Sequence, residues 1–526
     1  MPQHANQELE AFRMACASVR ACLARGQARS ALDALQNFTA PPRAIAAEYW
    51  MLRGHACMAL GLASDAVHAF REWLRVEPES PDARLRLAAA LADDGQGRAA
   101  EAEVRRCLQD GERSANALFI LGRALMDQRR FEEAETCLRD AIGLDPTQIT
   151  AQHNLSELVW MRTGDVAAAS VELDRALYAH PAVAGALRVA KARLWLAAQQ
   201  PERALAELES GLADAADDPG LLRAAAGMAL QFDGARALAY ARRALRVIPN
   251  DWDAIAVFGN ALLATGDAGG ALAAADRLCA RDPDHGEALA MRADALRMAG
   301  DPRYRALFDY THLVHAERIE VPKGWPSLTA YLGDLGQALD ALHGARIHPV
   351  ANSLRGGSQV ALVPERSDVA AIRAFPQAID GAIGRYLRAL GTGPDPMRRR
   401  NTGAYRLNGM WSVRLRANGF HVNHYHPKGW ISSSCYLRLP AAVAGCDGEG
   451  WLRFGEPAFP TVPALPAEYF LKPEPGLLAL FPSYLWHGTV PFPGSVAESR
   501  LTIAFDVVPA AGRPAPSVPD FTRIVS

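Results

Sequence analysis

The stretch HVNHYHPKGWISS, residues 421–433, places three imidazoles within six positions: His421, His424 and His426. Imidazole is the commonest side-chain metal ligand, so this density asks for either a metal or a polar surface loop. If the stretch is extended, residues two apart share a face. His424 and His426 then point one way into a common cavity, and His421 and Asn423 point the other. Farther along the chain, the apolar run LLALF ends at Pro482-Ser483 and delivers Trp486-His487. Thirteen residues after His487, Arg500-Leu501-Thr502 opens another apolar run. Arg500 and Thr502 share a face by the same period, and a guanidinium fork beside a hydroxyl suits a carboxylate held by two parallel hydrogen bonds. Two close histidines, a distant third and an Arg-x-Thr pair describe a metal with a carboxylate-bearing cosubstrate.

The elements that must position these residues are short and β-rich. Beyond residue 403 the runs AYRLNGMWSVRLR, SSSCYLRLP, WLRFGEP, GLLALFPS and RLTIAFDVV carry β-branched and aromatic residues between Gly and Pro breaks. Strands this short and this numerous indicate a sandwich or jelly roll. Upstream, RALFDYTHLVHAERIEVPKGWPSLTAYLGDLGQALDALHG reads as a strand followed by an amphipathic helix, and VAAIRAFPQAIDGAIGRYLRAL as a second helix.

The first 300 residues have a different texture. Gly54, Ala88 and Gly122 stand 34 residues apart, as do Ala66, Ala100 and Ala134, then Phe70, Val104 and Leu138. Pro249 and Pro283 repeat the same step. A 34-residue period, with small residues where two helices cross and Pro at the exit, is the signature of tetratricopeptide helix pairs. The spacing drifts near residues 180–220, where longer turns are expected, and the repeat stops after Gly300-Asp301-Pro302. The expected organisation is an all-α solenoid of about eight helix pairs over residues 1–303, followed by a β-rich jelly-roll domain with flanking helices over 304–526.

Composition narrows the partners. The formal net charge is -2 over 526 residues, without a basic run that would track phosphates, so neither nucleic acid nor an anionic membrane is expected as a partner. No stretch reaches the ~18 uninterrupted apolar residues of a membrane span. The eight cysteines are scattered without a CxxC pair, which suits reduced, mostly buried thiols in a cytoplasm.

The text WSVRLRANGFHVNHYHPKGWISSSCYLRLP, with GEGWLRFGEP, GLLALFPSYLWHGTVPF and SRLTIAFDV, resembles the 2-oxoglutarate/Fe(II)-dependent oxygenases. It is similar in particular to those found behind bacterial tetratricopeptide arrays, as is the upstream block HPVANSLRGGSQV. The resemblance spans roughly residues 305–512. It implies a double-stranded β-helix (jelly-roll) fold, with iron on a His-x-Asp/Glu pair and one distal histidine. Carried onto this chain, the ligands are His424, His426 and His487. Position 426, where the family has a carboxylate, is a departure; His421 is the substitute ligand, or an orienting neighbour, if His426 does not coordinate. The resemblance further implies Fe(II) and O2, with 2-oxoglutarate as cosubstrate. The far carboxylate of 2-oxoglutarate pairs with Arg500, assisted by Thr502 and Tyr436, and the metal chemistry needs no catalytic residue beyond the metal centre. Asn423, Trp430 (a lid after Gly429, or a packing residue) and Arg355 (in a loop with Gly356-Gly357, reaching substrate or cosubstrate or simply solvated) are candidates for the substrate side.

Three function classes follow. The first is an oxygenase, a hydroxylase, whose array recruits a protein or peptide through its concave groove. The second is a non-catalytic tetratricopeptide scaffold with a degenerate jelly roll, a reading kept open by His426. The third is a cupin-like three-histidine metal enzyme without oxoglutarate, against which Arg500-x-Thr502 argues.

Overall fold

The computed structural model describes residues 2–25, 27–36, 41, 45–345, 347–350, 352–495 and 498–510. Two compact units divide between Leu155 and Ser156, within helix Ile149–Thr163.

In the first unit helices pair in sequence: Ala46–Ala59 with Ala63–Val76, Pro81–Asp93 with Gly97–Gln109, and Ala115–Asp127 with Phe131–Leu144. The repeated small residues sit where the sequence places them. A Cβ on Gly54 would run into the Phe70 ring, and one on Gly122 would lie 2.8 Å from Leu138 Cγ. The large residue of the second helix fills the space that the small residue of the first leaves open. Ser80 and Ser114 start their helices by accepting the amides of Ala83 and Ala117. The first helix of each of these pairs ends on a left-handed residue at the same 34-residue step: Gly61, Gly95 and then Arg129.

The second unit continues the pattern and adds the β region. After a short 3-10 turn, Pro181–Val183, which accounts for drift in the spacing, come Ala184–Ala197 with Pro201–Asp214, Pro219–Ala229 with Gly234–Val247, and Trp252–Ala264 with Ala268–Cys279. Helix Gly286–Met298 then stands without a second long helix; a 3-10 turn, Pro302–Ala306, takes that position. This helix is buried on nearly every face, including Glu287 and Asp294, because the β region packs against the side its missing partner would cover.

Nine strands follow: β1 (His315–Arg318), β2 (Leu354–Ala361), β3 (Tyr405–His421), β4 (Ile431–Arg438), β5 (Leu452–Phe454), β6 (Tyr469–Leu471), β7 (Leu477–Pro482), β8 (His487–Thr489) and β9 (Ser499–Pro509) among the described residues. They form a six-stranded antiparallel sheet in the order β1-β7-β4-β9-β3-β2 and a three-stranded sheet in the order β6-β5-β8. The non-sequential order is that of a jelly roll. Helices Leu328–Asp340 and Phe375–Leu390 cover the large sheet through Tyr331, Leu335, Phe375 and Ile379, and β4 is buried along seven consecutive residues because both its faces are covered.

One expectation needs correction here. Arg355-Gly356-Gly357 is not a loop but part of β2, which bulges between Arg355 and Gly357. Gly356 has φ +69, and a Cβ there would lie 2.9 Å from Gly419 Cα, so the glycine serves a close backbone crossing. Among the described residues no helix is long and apolar enough to cross a membrane, and the cysteines are free.

Candidate metal and cosubstrate site

His424 and His487 meet through the backbone. They form an isolated antiparallel bridge in which each amide donates to the other's carbonyl at 2.9 Å. His487 also belongs to β8 of the small sheet, paired with Phe454. His426 is held from the other side: its amide donates to Ser483 O at 2.8 Å and its ring reaches β9 of the large sheet. Residues 422–426 are therefore not the regular strand that the period of two assumes; a single bridge and a bend bring the two side chains together.

The outcome is one cluster. One nitrogen from each of His424, His426 and His487 lies within 4.8 Å of the others, and the His424 and His487 ring centroids are 4.2 Å apart. The hydrogen bonds fix which nitrogen faces inward. His424 Nδ1 lies 2.9 Å from Val422 O and His487 Nδ1 lies 2.8 Å from Leu485 O. A carbonyl only accepts, so in both rings Nδ1 carries the proton and Nε2 keeps its lone pair. His426 Nδ1 lies 2.7 Å from Asp506 Oδ1. Burial, with the crowding of neighbouring imidazoles, pushes the His424 proton affinity down to about 3 and that of His487 well below the usual range, so these rings are neutral donors.

His421 stands beside the cluster rather than in it, its ring 5.7 Å from that of His424 and its Nδ1 3.0 Å from the Ser353 hydroxyl. That hydroxyl also lies 3.4 Å from His424 Nε2.

The Arg-x-Thr pair is buried as well. Arg500 and Thr502 are 1 % and 2 % exposed. Thr502 lies opposite Tyr436 in the β4–β9 register, and Arg500 Cζ is 4.9 Å from the centre of the Tyr436 ring. Among the described residues no carboxylate pairs with Arg500; its Nε and the Tyr436 hydroxyl are buried and make no hydrogen bond of ordinary geometry, although the two side chains lie close enough to act on each other, and Ser434 on Tyr436. A buried, uncompensated guanidinium is expensive. A carboxylate placed there would accept from both groups, so these residues fit the far end of 2-oxoglutarate, and the three Nε2 atoms fit a metal.

The substrate-side candidates fare differently. Trp430 takes its packing role rather than that of a lid: it is 1 % exposed and its indole donates to Met397 O at 3.0 Å, inside the core. Asn423 is committed as a brace, its amide oxygen accepting from Arg453 Nε at 2.9 Å and its nitrogen donating to Glu456 at 3.1 Å. Arg355 is 5 % exposed, with Nη1 bound to Asn352 O and Leu354 O; it has no acidic partner among the described residues, and burial lowers it to about 10.

Asp506, absent from the candidates above, has the same parity as Arg500 and Thr502 on β9, so the alternation that pairs those two also points to it. Helix Gly286–Met298 falls within the expected repeat series, but no local signal marks its role beneath the histidines. Gly286 N donates to Pro427 O at 2.8 Å, Tyr425 donates to Glu287 at 2.9 Å, and the Trp486 indole donates to Asp294 at 2.7 Å. The residues flanking all three histidines thus rest on the last helix of the repeat series.

Asp294 is fully buried, which pushes its carboxyl up to about 8 despite the Trp486 hydrogen bond. The folded chain therefore holds a proton there that the unfolded chain gives up at pH ~4. The sign follows: this carboxyl leaves stability intact below about pH 4 and drains it as pH rises toward about 8, by up to ~1.4 kcal/mol per unit. Asp294→Asn keeps an acceptor for the indole and has no proton to lose. Its melting temperature is expected to gain on wild type progressively between about pH 5 and about pH 8; an offset independent of pH would refute this assignment.

Comparison with known proteins agrees with both halves. Residues 409–506 match the family described as "Putative 2OG-Fe(II) oxygenase", and residues 47–90 and 115–148 each match a tetratricopeptide repeat. No curated protein matches the chain. Among solved structures it is similar to MamA from Desulfovibrio magneticus RS-1 (22% identity over 32% of this chain and 94% of that one, TM-score 0.27). It is also similar to a thermophilic tetratricopeptide-repeat protein of Thermus thermophilus (22%, 35% and 99%, TM-score 0.30) and to yeast Tom70 (14%, 59% and 76%, TM-score 0.39).

Proposed function

We propose that the chain is an Fe(II)- and 2-oxoglutarate-dependent oxygenase, a hydroxylase acting on a protein or peptide that the repeat array recruits. The observation that carries this reading is the pairing of a three-imidazole cluster with a buried Arg500 that has no carboxylate partner among the described residues. His424, His426 and His487 hold the iron through Nε2, with the Nδ1 bonds keeping each ring turned inward. Arg500, Tyr436 and Thr502 hold and orient the far carboxylate of the cosubstrate. When bound, iron and 2-oxoglutarate supply O2 activation with oxidative decarboxylation to succinate. His424, His487, Arg500 and Thr502 are buried and His426 is partly so, which limits the access of water to the centre. The array of residues 1–303 brings the substrate and the domain of residues 304–526 oxidises it.

Arg500→Ala tests the cosubstrate half. Isothermal titration of 2-oxoglutarate into the metal-loaded, oxygen-free chain is expected to show affinity weakened about 100-fold or more, the usual result of truncating one member of a buried charge pair. Unchanged affinity would remove Arg500 from the cosubstrate site, and no binding by either chain would favour the three-histidine enzyme without oxoglutarate.

A further inference from the structure

The surroundings of His426 differ from those of the other two histidines. His424 and His487 lean on backbone carbonyls, whereas the Nδ1 of His426 lies 2.7 Å from a carboxylate oxygen, Asp506 Oδ1. The same oxygen accepts the Ser432 hydroxyl at 2.8 Å, and Ser432 is hydrogen-bonded to Ser483 Oγ at 2.9 Å. Asp506, Ser432 and Ser483 are 8 %, 0 % and 1 % exposed. Their placement is dictated by register, since Ser432 and Asp506 are direct partners across β4 and β9. Among the described residues no lysine or arginine forms an ion pair with Asp506; His426 is its partner.

We infer that Asp506 supplies, through His426, the negative charge that position 426 itself lacks, and so acts as a positioning and charge-donating residue for the metal. In the His-x-Asp/Glu arrangement the charge sits on the ligand atom. Here the ligand is an imidazole, which brings no carboxylate charge of its own, and the carboxylate lies one hydrogen bond behind it. A carboxylate accepting Nδ1–H draws that proton toward itself, pushes electron density to Nε2 and fixes the ring plane, which makes the imidazole a stronger and partly anionic donor. Ser432 and Ser483 hold the carboxylate oxygen in place. The inference rests on the proposal that His424, His426 and His487 hold the metal.

A cycle on the full-length chain tests it with Co(II) as the probe: wild type, Asp506→Asn, His426→Asp and the double variant, each checked for a cooperative melt. Asparagine keeps the size and an acceptor oxygen and removes the charge. Asp506→Asn is expected to weaken Co(II) binding 10–100-fold and to move the visible d–d band. In the His426→Asp background the same change is expected to cause no loss, because the charge then sits on the ligand and a second carboxylate only repels it. Equal Co(II) affinity and band in wild type and Asp506→Asn would overturn the inference. So would an equal loss in both backgrounds, which would make Asp506 a packing residue. A wild-type chain that takes up no Co(II) would overturn the metal reading itself, a result distinct from either. Ser432→Ala covers the case in which Asp506→Asn does not fold. It removes a hydroxyl that holds the carboxylate oxygen and itself lies 3.0 Å from His426 Nδ1, so a loss of Co(II) affinity of up to ~10-fold with a shifted d–d band is expected, whereas unchanged affinity and band would overturn the inference.

Discussion

His487→Ala will release Fe(II) from the chain at metal concentrations that saturate the wild type. In the proposed centre His487 is the ligand that the small sheet would donate, whereas His426 is anchored to the large one and His424 bridges to His487 itself. Its loss leaves two imidazoles and no protein ligand from that side. Changes to groups that merely orient ligands cost about 10–100-fold in metal affinity, so removing a ligand should exceed ~100-fold. Equilibrium dialysis with metal analysis reads the result. His421→Ala is the control: its ring lies outside the cluster, bound to Ser353, and a loss no greater than ~10-fold is expected. A His487→Ala chain that retains stoichiometric iron while His421→Ala loses it would exchange the roles of the two residues.

The second large effect is architectural. A fragment of residues 304–526 will be insoluble or will lack a cooperative melt, whereas residues 156–526 will fold. Tyr425 and Trp486 are 2 % and 3 % exposed, pack on each other with ring centres 4.5 Å apart, and send their polar tips to Glu287 and Asp294 of helix Gly286–Met298. Arg297 of that helix also donates to Gly455 O at 2.6 Å and Pro466 O at 2.7 Å. Removing the helix exposes Tyr425, Trp486, Phe459 and the apolar groups around them, at about 1.5–3 kcal/mol per large side chain. A sum of several such terms rivals the ~5–15 kcal/mol that a domain has to lose. Soluble yield and thermal melting of the two fragments decide it. A cooperative melt of 304–526 within a few degrees of the longer fragment would show that the helix is dispensable.

The same helix explains why the sequence carries two kinds of boundary. The 34-residue texture ends near residue 303 because repetition stops there, while packing changes at Leu155–Ser156 because the later helices share a core with the β region. Periodicity reports what each helix pair does to its neighbours, and Gly54 against Phe70 or Gly122 against Leu138 shows that it reports it well. It cannot report a helix face that meets another fold. Glu287 and Asp294 look like ordinary surface charges within an amphipathic repeat, and only tertiary contact makes them buried partners of Tyr425 and Trp486.

The histidine cluster was legible from residue type and spacing, though for a partly different local reason. An alternating strand predicts that His424 and His426 share a face; in the structure an isolated bridge to His487 and an amide bond to Ser483 achieve it. Trp430 and Arg355 show the converse limit. Beside glycines both allow a loop reading, Trp430 as a lid or a packing residue and Arg355 as a substrate contact or a solvated side chain; Trp430 is a core side chain bonded to Met397, and Arg355 is buried in a bulged strand where glycine at 356 permits the crossing with Gly419. Asp506 was readable by strand parity, but its partner became evident only once β4 and β9 were in register.

The most direct test of the central claim is an oxygen-free titration of Fe(II) and 2-oxoglutarate into the full-length chain, followed in the visible. Wild type is predicted to develop a metal-to-ligand charge-transfer band that saturates at one iron and one 2-oxoglutarate per chain, and His487→Ala to show none. A folded, iron-replete wild type without that band would contradict the account and leave the jelly roll as a binding domain with its histidines serving structure or another metal.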